Sequence, residues 1–347
     1  MKKIAIVVFD DAQILDVAGP MEMFRGATIS LRERRPAAPV AYATHIVAGE
    51  AGPVRTSCGL TIVATDGFDG APREVDTLIV AGGVMDAALR DDRLLGYVRE
   101  TAANARRVVA IGTGTFVLAT AGLLEGRRAT THWRACKSLA ALFPGIEVVS
   151  DQVFVRDGPY LTSAGASAAL DQSLALVQED FGKDIAMSVA HRKVMFLRRT
   201  GGESQVSTHL AAQMIGHEGL AQLAAWILSN TAREITTDML AEQSAMSPRT
   251  LSRLFARELG MTPAGFIERA RIEVARRLLE ESDMRIDAIA RKSGLGSEER
   301  LRRTFQRVLG MTPREYHDRF REGAVLTENW PLLVVPPSHP AHVRTLK

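Results

Sequence analysis

The sequence predicts an α/β sandwich around a mostly parallel sheet, followed by an all-helical domain built on two helix-turn-helix units. Three observations predict it. From residue 4 to residue 197, apolar β-branched runs alternate with stretches of helical period, the pattern of strands joined by crossover helices. Residues 198–207, RRTGGESQVS, break that alternation with paired glycines and no periodicity. Beyond them one phrase occurs twice: residues 251–263 read LSRLFARELGMTP and residues 301–313 read LRRTFQRVLGMTP.

Taken in order, residues 4–9 form a buried strand ended by Asp10 and Asp11. Residues 16–25 follow as a helix, with Val17, Met21 and Phe24 on one face and Gly26 placed to end it. Residues 42–47 and 60–64 read as strands, and 75–81 as another running into Gly82 and Gly83. A helix over 94–105 precedes a strand over 107–111, which runs into Gly112, Thr113 and Gly114. Residues 116–124 are helical, 126–133 turn back, and 135–143 form a helix stopped by Pro144 and Gly145. Strands over 146–149 and 160–162 then give way to helices over 166–181 and 185–197. The expected domains are 1–197, a linker over 198–212, a helical domain over 213–322, and a Pro-rich tail over 323–347 with Pro331, Pro336, Pro337 and Pro340.

Within the helical domain, Ser247 and Ser297 sit where N-caps belong, and Pro248 suits a first helical position. Gly260 and Gly310 close each copy, and a Thr-Pro starts the next helix. Each unit therefore reads as short helix, turn, second helix. The joining helix, 266–281, spans roughly 24 Å and holds Ile267, Ala270, Val274 and Leu278 on one face. The second helices carry Arg249, Thr250, Arg253 and Arg257 in the first unit, and Arg300, Arg302, Arg303 and Arg307 in the second. Second helices of this motif enter the major groove, and arginine suits both guanine edges and phosphates. An arginine-rich amphipathic helix alone is an ordinary solvated face; two matched copies with the same caps point to DNA.

On these residues, 231–322 resembles the DNA-binding region of the AraC/XylS family. Leu240-Ala241, Arg253 to Phe255, Gly260 to Pro263, Ala275 to Leu279, Ile289-Ala290 to Gly294, and Arg303 to Phe305 carry the resemblance. One departure is Glu298-Glu299 at the start of the second recognition helix. Two carboxylates there repel phosphate, which limits that helix's expected contacts to Arg300 and Arg303.

Composition sets bounds. The chain has 347 residues, 46% hydrophobic and 24% charged, with a net charge of +3; that is ordinary globular material with room for two cores. So mild a charge does not by itself indicate nucleic acid; the signal is local. Two cysteines, Cys58 and Cys136, lack metal-ligand or disulfide spacing. No signal peptide or membrane-length apolar run is read, so a cytoplasmic protein with no metal or cofactor is expected.

Open parallel sheets bind ligands outside the carboxyl ends of their strands. Asp16, the Gly82-Gly83 pair and the Gly112-Thr113-Gly114 turn lie at such ends. A strand turning sharply into a helix between glycines is an elbow that presents a nucleophile. Residues 3–197 resemble the ThiJ/PfpI branch of the class I glutamine amidotransferase-like superfamily. The resemblance rests on Asp16 to Pro20, Ile79 to Gly83, the elbow at 111–116, and Ala121 to Trp133. It implies a flavodoxin-like, doubly wound fold. It extends to isocyanide hydratases, whose elbow phrase is Cys-Thr-Gly with a nearby Asp. Here Gly112 stands at the nucleophile position and offers no side chain. Gly112 also reads as a plain strand-end turn and Thr113 as a helix cap. Asp16 reads as a helix N-cap or a ligand partner, and His132 as a packed histidine beside Trp133 or a ligand contact.

Together the two resemblances are those of GlxA-type regulators. They imply a DNA-binding transcription factor that is not an enzyme, with a small effector in the elbow pocket. The other reading is a hydratase, amidase or glyoxalase-like enzyme with an appended DNA-binding domain. The candidate pocket is Asp16, Gly82, Gly83, Gly112, Thr113 and His132. Free N–H groups near Gly83 and Thr113 opposite Asp16 favour a small polar, nitrogen-containing metabolite. Expected partners are promoter DNA, a second copy of the chain, and RNA polymerase if the protein activates.

Overall fold

The computed structural model describes residues 1–195, 199, 201 and 204–321. The expected Pro-rich tail, 323–347, and Leu197 at the end of an expected helix lie outside the described residues. The first part runs β1 (Lys2–Val7), α1 (Ile14–Arg34), β2 (Tyr42–Ala48), β3 (Gly52–Arg55), β4 (Thr61–Ala64), β5 (Asp66–Gly67), β6 (Thr77–Val80), α2 (Asp92–Asn104), β7 (Arg107–Ile111) and α3 (Gly114–Thr120). It continues through β8 (Arg128–Ala129), α4 (Cys136–Leu142), β9 (Glu147–Val148), β10 (Phe154–Asp157), β11 (Tyr160–Ser163), α5 (Ser167–Phe181) and α6 (Lys183–Arg192).

A seven-stranded sheet has the order β10-β11-β7-β6-β1-β2-β5, parallel throughout except for the antiparallel edge strand β10. Side chains alternate across it. Ile4 and Ile6 join one core with α1, α5 and α6, while Ala5 and Val7 join the other with α2, α3 and α4. Strand order reverses between β1 and β6, so the ends of those two strands form the switch point where such sheets leave a crevice.

Gly26 does not end α1, which runs on to Arg34. A Cβ at Gly26 would lie 2.9 Å from Val189 Cγ1, and one at Gly19 would lie 2.9 Å from Leu170 Cδ2. These glycines let α5 and α6 approach α1 closely; they are not stops. Pro20 sits inside the same helix.

The helical part comprises α7 (Thr208–Gln213), α8 (Glu218–Ser229), α9 (Thr237–Gln243), α10 (Pro248–Leu259), α11 (Pro263–Glu281), α12 (Ile286–Lys292), α13 (Glu298–Leu309) and α14 (Pro313–Arg321). The expected linker is shorter than 198–212, because Ser207 caps α7 by accepting from Leu210 N, and Ala212 joins the first helical core. The joining helix starts at Pro263 with Thr262 as its cap, as the Thr-Pro predicts, and so takes in three residues ahead of the expected 266–281 span. One core gathers α8, α9, α10 and the start of α11 around Phe255 and Phe266; a second gathers the rest of α11 with α12, α13 and α14 around Phe305 and Tyr316. The ring pairs Phe255–Phe266 and Phe305–Tyr316 are both edge-on at 5.8 Å, so the duplication extends to packing.

Candidate functional site

The ends of β1, β6 and β7 build the elbow. Gly112 follows β7 with φ 54°, the left-handed region that costs a residue with a side chain about 1–3 kcal/mol. Its N–H donates to Ser163 O at 2.9 Å, and its carbonyl accepts from Thr131 Oγ1 at 2.8 Å. A Cβ here would stand 3.2 Å from Gly165 Cα and 3.6 Å from Asp16 Oδ2. The backbone keeps the shape that presents a nucleophile, and the residue supplies none.

Asp16 is buried in the first turn of α1, but it is not the N-cap. Gln13 holds that position without a side-chain bond. Asp16 instead reaches across the switch point. Its Oδ2 accepts from Gly82 N at 2.9 Å and its Oδ1 from Ala166 N at 2.8 Å. One carboxylate thus fastens three chain segments together. Burial pushes its pKa up to about 6 against the lowering effect of the Ala166 and Gly82 N–H groups. A side chain at Gly82 would strike this carboxylate and Ile111 O, each 2.7 Å from its Cβ.

The donors expected to be free are partly spent. Gly83 N donates to Thr113 Oγ1 at 2.9 Å, and that hydroxyl lies 2.9 Å from Gly83 O, so Thr113 zips the two strand ends together. Asp16, Gly82, Gly83, Gly112 and Thr113 therefore meet in one knot. His132 joins it only through its neighbour Thr131. The His132 ring accepts from Arg134 N at 3.4 Å and lies 5.6 Å from Trp133, tilted against it. Burial, then the Arg134 charge, hold its pKa below the usual imidazole range. Cys136 points its thiol at the carbonyls of Thr131 and His132, at 3.5 and 3.6 Å, and burial raises its pKa; it is a structural thiol, not a thiolate. Among the described residues no group of His, Cys, Asp and Glu could hold a metal.

Sequence reasoning missed a strap that leads away from the knot. Gln205 Nε2 donates to Thr131 O at 2.9 Å, and Gln205 N donates to Asp151 Oδ1 at 3.2 Å. Ser204 Oγ donates to the same Asp151 oxygen at 2.8 Å, and Arg269 of α11 pairs with Oδ2. The contacts run from Gly112 through Thr131, Gln205 and Asp151 to the joining helix. A polar tract without periodicity carries no sequence signal for this.

In the helical part, Ser247 Oγ accepts from Thr250 N at 3.1 Å and Ser297 Oγ from Arg300 N at 3.2 Å. Gly260 and Gly310 are left-handed, with φ 67° and 70°. Each second helix therefore projects its first turn outward. Arg249, Thr250 and Arg253 are exposed on α10, and neither arginine has an acidic partner among the described residues. Arg257 is paired with Glu258 at 2.8 Å. On α13 the pattern differs. Glu299 takes a two-pronged contact from Arg302, both bonds 3.0 Å, and pairs with Arg303 at 3.3 Å. Glu299 thus neutralises two arginines of its own helix. Arg307 turns back onto Glu268 of α11 at 2.5 Å, which leaves Arg300 as the α13 guanidinium with no carboxylate partner among the described residues.

The DJ-1/PfpI family model matches residues 2–179, and a helix-turn-helix domain model matches residues 240–319. The chain belongs to the DJ-1/PfpI family, with an AraC-type helix-turn-helix domain attached. Similar over most of its length is the HTH-type transcriptional regulator CdhR of Pseudomonas aeruginosa, 31% identical and covering 88% of each chain. The HTH-type transcriptional regulator GlxA of Rhizobium meliloti is 34% identical over 55% of this chain and 59% of its own. The isonitrile hydratase of Pseudomonas putida is 36% identical over 54% of this DJ-1/PfpI chain and 75% of its own.

Proposed function

We propose that this chain is a transcription factor whose DJ-1/PfpI domain binds a small metabolite without turning it over and thereby sets promoter affinity of the twin helix-turn-helix domain. Gly112 carries the reading: the elbow is kept in backbone and lost in chemistry. Nucleophilic catalysis needs a thiol or hydroxyl at that residue, and Cys136 is turned away onto carbonyls. Asp16, Gly82, Gly83, Gly112, Thr113 and His132 are the proposed ligand contacts. With both Asp16 oxygens taking backbone N–H groups, the ligand must bind a carboxylate that is already anchored. A cationic or amide nitrogen suits its remaining lone pairs. The strap through Gln205 and Asp151 supports coupling, since a ligand acts only by its different affinity for two arrangements. A homodimer in the cytoplasm is part of the proposal. The similarity to isonitrile hydratase keeps one other reading alive, an enzyme with a DNA-binding appendage.

A thermal-shift screen of nitrogen-containing metabolites, followed by duplex binding with each hit, tests this. Hits should raise the melting temperature and change DNA affinity in wild type, and do neither in Gly112→Leu, which should still fold and bind DNA. Steady turnover of an isocyanide, amide or glyoxal by wild type would establish the enzyme instead.

A further inference from the structure

The two helix-turn-helix units meet at Arg271. This α11 side chain is only 7% exposed. Its Nε donates to Thr231 O at 3.0 Å and its Nη2 to Arg233 O at 2.7 Å, both in the loop leading into the first unit. The second unit's turn closes on the same point. A Cβ at Gly294, whose φ is +83°, would fall 1.9 Å from Thr231 O and 2.8 Å from Arg271 Nε. A cleft of about 240 Å³ opens in front, lined by Thr236 and Thr237 at the start of α9, by Arg271, and by Leu295 and Arg300 of the second unit.

The cleft's charge is unbalanced. Neither Arg271 nor Arg300 pairs with a carboxylate among the described residues. Glu268 also lines the cleft but is held by Arg307 at 2.5 Å. Both guanidiniums line the cleft, Arg271 buried and Arg300 exposed; burial, and then the Arg300 charge, lower the pKa of Arg271, so the two charges repel each other there. An anion between them relieves that repulsion. The cleft lies between the units, beside the first turn of α13 and the start of α9. A duplex engaged by both units would carry its sugar-phosphate backbone from one groove contact to the next past the segment between the units.

We propose that this cleft seats one backbone phosphate of the bound duplex, held by Arg300 with Arg271 behind it, so that Arg300 positions the DNA and does not read a base. The proposal rests on promoter binding by the twin units. It deepens that reading by separating the arginines: Arg249 and Arg253 face base edges, and Arg300 registers the spacing between the units.

The test uses the full chain and the duplex it selects from a random-sequence pool. Arg300→Gln should weaken binding to every sequence, lower the salt slope by about one, and leave base preferences unchanged. In a scan replacing single phosphates by uncharged methylphosphonates, one position should cost the wild type affinity and cost Arg300→Gln none. Arg271→Met should lower the slope likewise. Relaxed preference at one base pair with an unchanged slope would make Arg300 a base reader and overturn the proposal. So would a scan in which no position distinguishes the two proteins. A lower melting temperature with the wild-type slope in Arg271→Met would leave that residue a strut and overturn its share. A wild-type chain that selects no duplex removes promoter binding itself, and this seat with it.

Discussion

Arg269 of the joining helix pairs with Asp151 of the loop between β9 and β10, and so ties the helical domain to the segment that also holds Ser204 and Gln205. Both side chains are about one-third exposed, 35% and 30%, and such pairs contribute no more than about 1 kcal/mol. Arg269→Ala should therefore leave the melting temperature nearly unchanged while releasing the strap. Hydrogen exchange at the Gln205 amide, which donates to Asp151, should speed up. An unchanged Gln205 amide would mean that Ser204 and Gln205 hold the strap without the arginine.

The uneven pairing of the recognition helices predicts an uneven mutational profile. Arg249→Ala or Arg253→Ala should each cost about 1–3 kcal/mol of specific binding, because neither guanidinium has an acidic partner among the described residues. Arg257→Ala and Arg307→Ala should cost least, since Glu258 and Glu268 already occupy them. Salt-titrated binding of the four variants decides the order, and equal losses would show that the ion pairs open on the duplex.

Asp16 predicts a pH dependence with a definite sign. Its folded pKa, about 6, lies above the ordinary 3.8. The folded protein therefore binds this proton more tightly than the unfolded chain does. The stability from this group is present below pH 4 and is lost as pH rises through 6, by about 3 kcal/mol in order of magnitude. Denaturant melts from pH 4 to pH 7.5 should show this slope in wild type on top of the other titrations, and lose it in Asp16→Asn. That variant should be less stable at low pH, where its amide still faces one backbone N–H with another donor. Parallel pH profiles for the two proteins would remove Asp16 as their difference.

Gly26 predicts a rescue. Gly26→Ala adds a methyl 2.9 Å from Val189 Cγ1, and overpacking of this kind costs about 1–3 kcal/mol. That outweighs the roughly 1 kcal/mol gained in helix propensity. Adding Val189→Ala should recover most of the loss. A stabilised single variant would show that α6 simply moves away.

Much of the architecture was legible because it depends on local order along the chain. Strand runs, caps at Ser247 and Ser297, and the closing glycines at 260 and 310 are each written within a few residues of where they act. Gly26 was misread because a glycine that ends a helix and one that admits a neighbour look alike in sequence; Val189 decides which, from another helix. The Asp16 staple was illegible for the same reason, as Gly82 and Ala166 come to it only when the sheet forms. Glu298-Glu299 marked the second recognition helix as different, with Arg300 and Arg303 expected to make its contacts; Arg303 is in fact paired with Glu299, and the pairing of Arg307 with Glu268 of another helix left no trace in the local sequence. The strap at 204–205 sits in a polar tract where hydrogen bonding leaves no periodic trace.

The joining helix α11 lends Phe266 and Ile267 to one core and Ile272, Ala275 and Leu279 to the next. The two units thus share a single helix as part of both cores. On one unit Arg249 and Arg253 have no acidic partner among the described residues, while on the other Glu299 holds Arg302 and Arg303. A duplex lying along them therefore has a head and a tail. Each copy of the chain should then take its half-site in one direction, and inverting a half-site relative to the start of transcription should change the effect on transcription even where affinity is untouched.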